Sequence, residues 1–458
     1  MASRADQLAS NLNLSKFGQA TELKNRIWFT LGALIVFRFL SFVPLPGVDP
    51  VALSRLYEQA ASGGVLDIFN TFSGGSLERM SIIALGVMPY ITASIVVQLA
   101  SALSPTLAAM KKEGESGRKK LNQYTRYGTV ALTAIQGYFV AVSLETLGQS
   151  QGIAAVIDPG MMFRISAVIS IVGGTLFLMW LGEQITSRGI GNGVSLIIMA
   201  GILSQLPRSF AQLFEQGRSG ATGGGTILAV LIGAVAIIAF ISFMERAQRR
   251  VLVQYPKRAT QNGVMQADRS HLPLKVNTAG VIPPIFASSL LLMPLTITQL
   301  MGQGVDGDTT SGSFLITLNQ LLAHGQPLYM LLYGIGIIFF CFFYVAVVFN
   351  PEETADNLKR QNGFIPGIRP GKNTATYLDH VLTRITVLGS AYLVVICLVP
   401  EYFIAQAGLP FYLGGTSLLI VVNVTIDTIT QIQSHLLAHQ YADLIKKSKL
   451  KGGGLARR

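Results

Sequence analysis

Ten stretches of this chain are predominantly apolar over roughly the thickness of a bilayer, and short polar or basic segments separate them. They fall near residues 26–44, 80–103, 126–146, 162–182, 194–212, 226–244, 276–299, 327–349, 383–404 and 413–433. A helix needs about 20 mostly apolar residues to cross the hydrocarbon core, so each stretch predicts a spanning helix. Residues 1–25 are mixed polar, and the first apolar run begins near Ile27. That run is long enough to span, which predicts a retained first helix rather than a cleaved leader. Composition agrees: 50% of the 458 residues are hydrophobic and 13% charged, against about a quarter charged in soluble domains.

The apolar pattern repeats. Gly86-Val-Met-Pro-Tyr-Ile-Thr-Ala-Ser94 in the second span is echoed by Gly280-Val-Ile-Pro-Pro-Ile-Phe-Ala-Ser288 in the seventh. In the same order, Gly193-Val-Ser-Leu-Ile-Ile198 in the fifth is echoed by Gly415-Thr-Ser-Leu-Leu-Ile420 in the tenth. Two collinear echoes indicate a duplicated unit. Each pair is five crossings apart, so its members run in opposite directions through the membrane. The expected fold is therefore all-α and integral to the membrane, with ten helices in two inverted five-helix halves around a central hourglass pore. Inverted repeats place the working site at the interface of the halves, near the midplane. The expected divisions are an N-terminal tail at 1–25, a first half at 26–212, a second half at 213–433 and a basic tail at 434–458.

Charge sets the direction. Twenty-eight Lys and Arg lie on one side, counting Arg26 at the edge of the first span, and the opposite loops hold only Arg55, Arg208 and Arg218. The positive-inside rule makes the basic side cytoplasmic and places both termini there. Arg38, Arg79, Arg164 and Arg384 stand at or near span ends.

Helical spacing puts Val87 with Ile91 on one face, and Val194 with Ile198 on another; Ile285 and Ile420 are their counterparts in the second half. A carrier of ions or polar solutes needs carboxylates, amides or broken backbone at this place. Branched aliphatics instead make a constriction that excludes water and yields to a bulky, unspecific passenger. Ordinary helix packing, with Gly and Ala allowing close approach, is the plainer reading of the same residues. Pro89, Pro283 and Pro284 each remove a helix hydrogen bond and are expected to bend their helices. Gln98 and Asn277 belong on the cytoplasmic side of the seam, bonding either across it or to their own neighbours. Asn423 and Asp427 share a face with Ile420, either wetting a vestibule or bonding an adjacent helix.

Between the first two spans, Val65, Ile68, Phe69 and Phe72 form a short apolar stripe flanked by Gly63-Gly64 and Gly74-Gly75. Too short to cross and too apolar for an exterior loop, segment 64–75 either lies in the interface or folds back as a stopper. The loops at 245–276 and 350–382 are basic. Arg249, Arg250, Lys257, Arg258, Arg269 and Lys275 lie in the first. Pro and Gly in Phe364–Lys372 make a tight tip that presents Arg369 and Lys372. Such loops suit an acidic partner, RNA phosphate included.

Catalytic patterns are wanting. Gly367–Lys372 is one residue short of a phosphate loop and lacks its Ser or Thr. His435 and His439 have no Glu between them and no evident third ligand. No cofactor and no metal is expected. Cys341 and Cys397 lie in apolar spans and read as small core residues.

Several blocks resemble the SecY family, whose members are central subunits of protein-conducting channels. They include Phe72–Gly75, Ala84–Ile91, Lys111–Arg118, Trp180–Thr186, Arg188–Gly193, His271–Asn277, Phe349–Pro351, Pro366–Gly371 and Gly414–Ser417. The likeness runs from Leu23 to the basic tail. It implies that unfolded secretory proteins pass between the halves and that membrane-protein helices leave sideways into the bacterial plasma membrane. The waist would be Val87, Ile91, Val194, Ile198, Ile285 and Ile420, with Val at two positions where the family usually shows Ile. Segment 64–75, with Val65, Leu66, Ile68, Phe69, Phe72, Gly74 and Gly75, would be the plug. Spans two, three, seven and eight would frame a lateral gate containing Thr92, Gln98, Asn277 and Met293. Arg249, Arg250, Arg258, Arg369 and Lys372 would meet the ribosome, including its rRNA, or the SecA motor ATPase. The resemblance also implies SecE-type and SecG-type membrane subunits, with signal sequences and nascent chains as passengers. A small-solute transporter is the main rival; an intramembrane hydrolase would need a nucleophile and base that are not evident.

Overall fold

The computed structural model describes residues 21–53, 70, 73–151, 155–220, 223–255, 269–291, 326–407 and 414–452. Its helices are α1 (Thr21–Leu40), α2 (Met88–Leu103), α3 (Pro105–Lys112), α4 (Glu115–Gln151), α5 (Met161–Arg188), α6 (Gly193–Arg218) and α7 (Gly224–Arg246). After a hairpin of β1 (Gln248–Gln254) and β2 (Arg269–Lys275) come α8 (Ile282–Leu291), α9 (Pro327–Val348), α10 (Pro351–Arg360), α11 (Lys372–Ala407) and α12 (Gly415–Gly452).

Each of the ten expected spans is occupied by a helix, with α3 and α10 as short additions. Among the described residues, seven helices are long and apolar enough to cross a membrane. Helix α1 is not among them: its 20 residues reach about 30 Å at 1.5 Å per residue, but Lys24, Arg26 and Arg38 near its ends dilute its hydropathy. Large apolar side chains such as Ile35, Phe39, Met162, Ile169, Val235, Phe243 and Leu388 face outward, which in lipid costs nothing. Among the seven, α7 is the extreme case, with almost none of its apolar window buried. Cys341 and Cys397 are buried and free.

The starts of the second and seventh spans differ from expectation. Residues 80–87 form turns rather than helix, and α2 begins only after Gly86 at φ +58°. Likewise α8 begins after Gly280 at φ +64°. That left-handed backbone is cheap only for glycine. Pro89, Pro283 and Pro284 therefore fall in the first turns of their helices, where the missing N–H would have had no helical partner. They start these helices; the expected mid-helix bends are not what they make.

Matched contacts tie each half together. A Cβ on Gly174 of α5 would run into the carbonyl oxygen of Ile82, and one on Gly389 of α11 would come within 2.6 Å of the carbonyl oxygen of Val276. Ile82 and Val276 both precede the repeated glycine by four residues. At the other echo, a Cβ on Gly193 would meet the Gly182 carbonyl of α5, and one on Gly415 the Ile396 carbonyl of α11. Both halves thus make the same two close approaches, the geometry of an inverted duplication. In the first half, two Arg–Glu pairs also staple α4 to α5: Arg126–Glu183 at 2.6 Å and Arg164–Glu145 at 2.7 Å.

Several helices outrun their apolar cores. Expected near 126, 383 and 433, the corresponding ends stand at Glu115, Lys372 and Gly452. Hydropathy marks where lipid begins; it does not mark where the backbone stops being helical. The two basic loops are joined as well. Gln254 and Phe364 exchange backbone hydrogen bonds of 2.9 and 3.0 Å. Val251 and Leu274 of the hairpin pack with Ile365, Leu378, Leu382 and Ile385 in a separate small core.

Candidate functional site: an apolar constriction between the halves

Val87 is the residue immediately before α2 and Ile91 lies in its first turn; Val194 and Ile198 occupy the first two turns of α6. Ile285 and Ile420 lie in the first two turns of α8 and α12. All six belong to one hydrophobic cluster, in which Val194 is partly buried and the other five are buried. The cluster draws on both halves, and each of its four helix starts follows or carries a repeated glycine.

Polar bonds hold these starts in place. The Asn192 side chain accepts from the backbone N–H of Val194 and Ser195 at 3.1 and 3.3 Å, an N-cap for α6. Thr186 Oγ1 accepts from Gly193 N at 2.8 Å. In the other half, Asn277 Oδ1 accepts from Gly280 N at 3.0 Å, and its Nδ2 donates to Gly280 O at 3.1 Å and Glu245 Oε1 at 2.6 Å. Tyr333 and Thr416 hydroxyls lie 3.1 Å apart beside the start of α12. The six side chains themselves offer no donor or acceptor. Side chains of this kind cannot replace an ion's hydration shell, and a narrow passage lined by them would shed water.

The flanking residues sort as follows. Thr92 Oγ1 donates to Met88 O at 3.1 Å and Gln98 Nε2 to Ser94 Oγ at 3.2 Å. Among the described residues, Gln98 bonds within its own helix, while Asn277 bonds Gly280 and, on α7, Glu245. Asp427 pairs with Lys275 at 3.9 Å, both exposed. Met293 and Arg258 lie outside the described residues, as do Val65, Leu66, Ile68, Phe69 and Phe72. Gly74 and Gly75 (φ +71° and +80°) are described. They sit against α6 so closely that a Cβ would stand 2.9 Å from Gly201 Cα and 2.5 Å from Gln205 Nε2, respectively. Arg249 and Arg250 are exposed on β1; Arg369 and Lys372 are exposed at the tip, where Gly367 and Gly371 take φ +83° and +108°.

Two features escaped the sequence reading. The Glu245–Asn277 bond was foreshadowed only by an acid at the end of a very apolar span. Arg38 donates from Nη1 to Gly74 O at 2.8 Å and Ser204 Oγ at 3.1 Å; a cation inside an apolar run was its only signal.

An inverted ten-helix bundle with an aliphatic cluster drawn from both halves is the architecture of a membrane channel. Solved structures share this fold. A protein-conducting channel aligns with a TM-score of 0.62 and 16% identity over 90% of this chain and 92% of its own. Sec61 in the canine ribosome–channel complex from the endoplasmic reticulum aligns with a TM-score of 0.57 and 16% identity over the same shares. The SecY family model matches residues 81–429. Protein translocase subunits SecY from Vibrio cholerae and from Escherichia coli K12 are each 52% identical over 95% of this chain, covering 96% and 97% of their own lengths. The chain belongs to the SecY family. It is a multi-pass membrane channel subunit and not an enzyme.

Proposed function

We propose that this chain is the pore subunit of a bacterial protein translocase, passing unfolded secretory proteins through the apolar constriction and releasing apolar helices sideways into the plasma membrane. The single observation carrying this reading is that six branched aliphatics from both halves belong to one hydrophobic cluster. An extended polypeptide has no fixed chemistry to recognise, so its passage favours a compliant greasy seal over a fitted site. Segment 64–75 acts as the plug, and spans two, three, seven and eight frame the lateral gate, lined by Thr92, Gln98, Asn277 and Met293. Both termini are cytoplasmic, as the basic residues dictate.

Partners follow from the exposed basic tips. Arg249, Arg250, Arg258, Arg369 and Lys372 dock the SecA motor or the ribosome, and SecE-type and SecG-type subunits cover outward faces. Energy comes from the motor or the ribosome, or from the proton-motive force. The central test replaces Ile91 by cysteine and stalls a secretory chain carrying a thiol-reactive probe in the channel. Crosslinking at position 91, and none at a lipid-facing cysteine such as Ile169→Cys, is the expected result. Labelling confined to the outward position would overturn the reading.

The docking role has its own test. Arg369 is exposed and its side chain stands clear of both cores, so Arg369→Glu leaves folding intact while reversing the charge offered to an acidic partner. Motor-driven secretion is expected to fall several-fold with the amount of inserted protein unchanged. Undiminished export in that variant would remove Arg369 from the docking surface.

A further inference from the structure

We infer that Arg38 is a positioning residue that sets the resting separation of α2 and α6, the two first-half helices of the constriction. The inference rests on the channel reading above. Arg38 is a half-buried cation in the last turn of α1, and a charge in that place persists only where it is matched by fixed partners. Its Nη1 reaches three oxygens: Gly74 O at 2.8 Å, Ser204 Oγ at 3.1 Å and Ser41 Oγ at 3.4 Å. Its guanidinium carbon lies over the Phe42 ring, 4.8 Å from the centroid; that of Arg79 lies over the same ring at 4.3 Å.

These contacts join three separate pieces of chain. Ser41 and Phe42 follow α1. Gly74 begins the strap of residues 73–87 that feeds directly into Val87 and Ile91. Ser204 stands on α6, six residues beyond Ile198. The strap is otherwise laid against the segment after α1 by Leu45 N to Met80 O at 2.8 Å and Ile82 N to Val43 O at 3.1 Å. Glycine at 74 is what admits the strap to α6, as its missing Cβ would lie 2.9 Å from Gly201 Cα. A guanidinium is suited to the junction because it stays charged and donates to a carbonyl and a hydroxyl together. Charge-assisted bonds of this kind gain strength where water is scarce. Four of the six constriction residues sit on the two elements so linked. Loosening the junction lets α2 drift from α6 and widens the resting neck, while leaving the passage of a properly addressed chain intact.

The test uses the channel reconstituted with its partner subunits in liposomes. Three quantities are read: resting ion conductance, translocation of a precursor with an intact signal, and translocation of one with a charged residue in its signal core. For Arg38→Gln, conductance and passage of the defective precursor are expected to rise about tenfold, the equivalent of one lost charged hydrogen bond. Passage of the intact precursor stays within about twofold, since widening a resting neck does not block it. Arg38→Lys, which keeps the charge and can still reach Gly74 O, is expected to restore most of the seal. Ser204→Ala gives a smaller rise than Arg38→Gln and decides the matter if that variant fails to accumulate. Unchanged conductance in Arg38→Gln or, failing its accumulation, in Ser204→Ala overturns the inference. So does an Arg38→Lys channel as leaky as Arg38→Gln. A wild-type channel that passes no precursor would sink the channel reading instead.

Discussion

Replacing Ile420 by asparagine is expected to make the resting membrane leak ions and to relax the demand for a good signal sequence. Ile420 is 1% exposed and packs in the central cluster with residues of both halves. An amide placed there finds aliphatic neighbours and loses its water. A buried polar group without a partner costs about 1–3 kcal/mol, and opening the neck to water relieves that cost. The closed state is then disfavoured by about 5- to 150-fold, since roughly 1.4 kcal/mol is a factor of ten. Valine at the same position keeps the neck apolar and, with a typical loss of about 0.5–1.5 kcal/mol of stability, should remain tight. Conductance across a reconstituted bilayer separates the two variants. A membrane as tight with asparagine as with isoleucine would show that position 420 lies off the conducting path. If small-solute uptake disappeared while the seal held, the transporter reading would take over.

The second large effect concerns neighbouring glycines with opposite fates. Gly174→Ala should lower the thermal stability of the solubilised protein, because its methyl would collide with the Ile82 carbonyl. Backbone cannot swing aside as a flexible side chain can, and forced overpacking costs about 1–3 kcal/mol. Gly173→Ala, one residue away, meets open space within 4 Å. It should be neutral or stabilising by up to about 1 kcal/mol through helix propensity. The inverted duplication adds a demand: Gly389→Ala in the second half should repeat the loss seen at Gly174. Melting curves check all three. Equal behaviour of Gly173→Ala and Gly174→Ala would mean that the Ile82 carbonyl can move away from α5.

Much of this architecture was readable from residues alone. Span number followed from apolar length, and the inversion followed from Gly86–Ser94 recurring at Gly280–Ser288 an odd number of crossings away. That the six aliphatics share one hydrophobic cluster was legible for the same reason, since duplicated positions point to the interface of the halves. Where the helices begin was hidden. Ser81–Val87 has the composition of a span, and hydropathy averages composition without sensing that Gly86 turns left-handed. The prolines misled for the same reason: Pro89 interrupts a helix only if one already exists before it. Pairing distant in sequence was equally invisible. Nothing local in Gln254 or Phe364 announces that they exchange hydrogen bonds. Arg38 was counted as an end-of-span charge, because its partners Gly74 and Ser204 arrive from other elements.

The union of the two basic loops through Gln254 and Phe364 has a mechanical meaning. The hairpin connects α7 to α8, and the Phe364 loop connects α9 to α11, so a load applied at either tip is shared by four consecutive spans of the second half. A motor docked at Arg369, as proposed above, would push a lever whose far arm carries Ile285, while α2 and α6 stand outside the linkage. Thrust delivered there would become relative sliding of one half past the other, and the proposed neck between them would be the place that feels it.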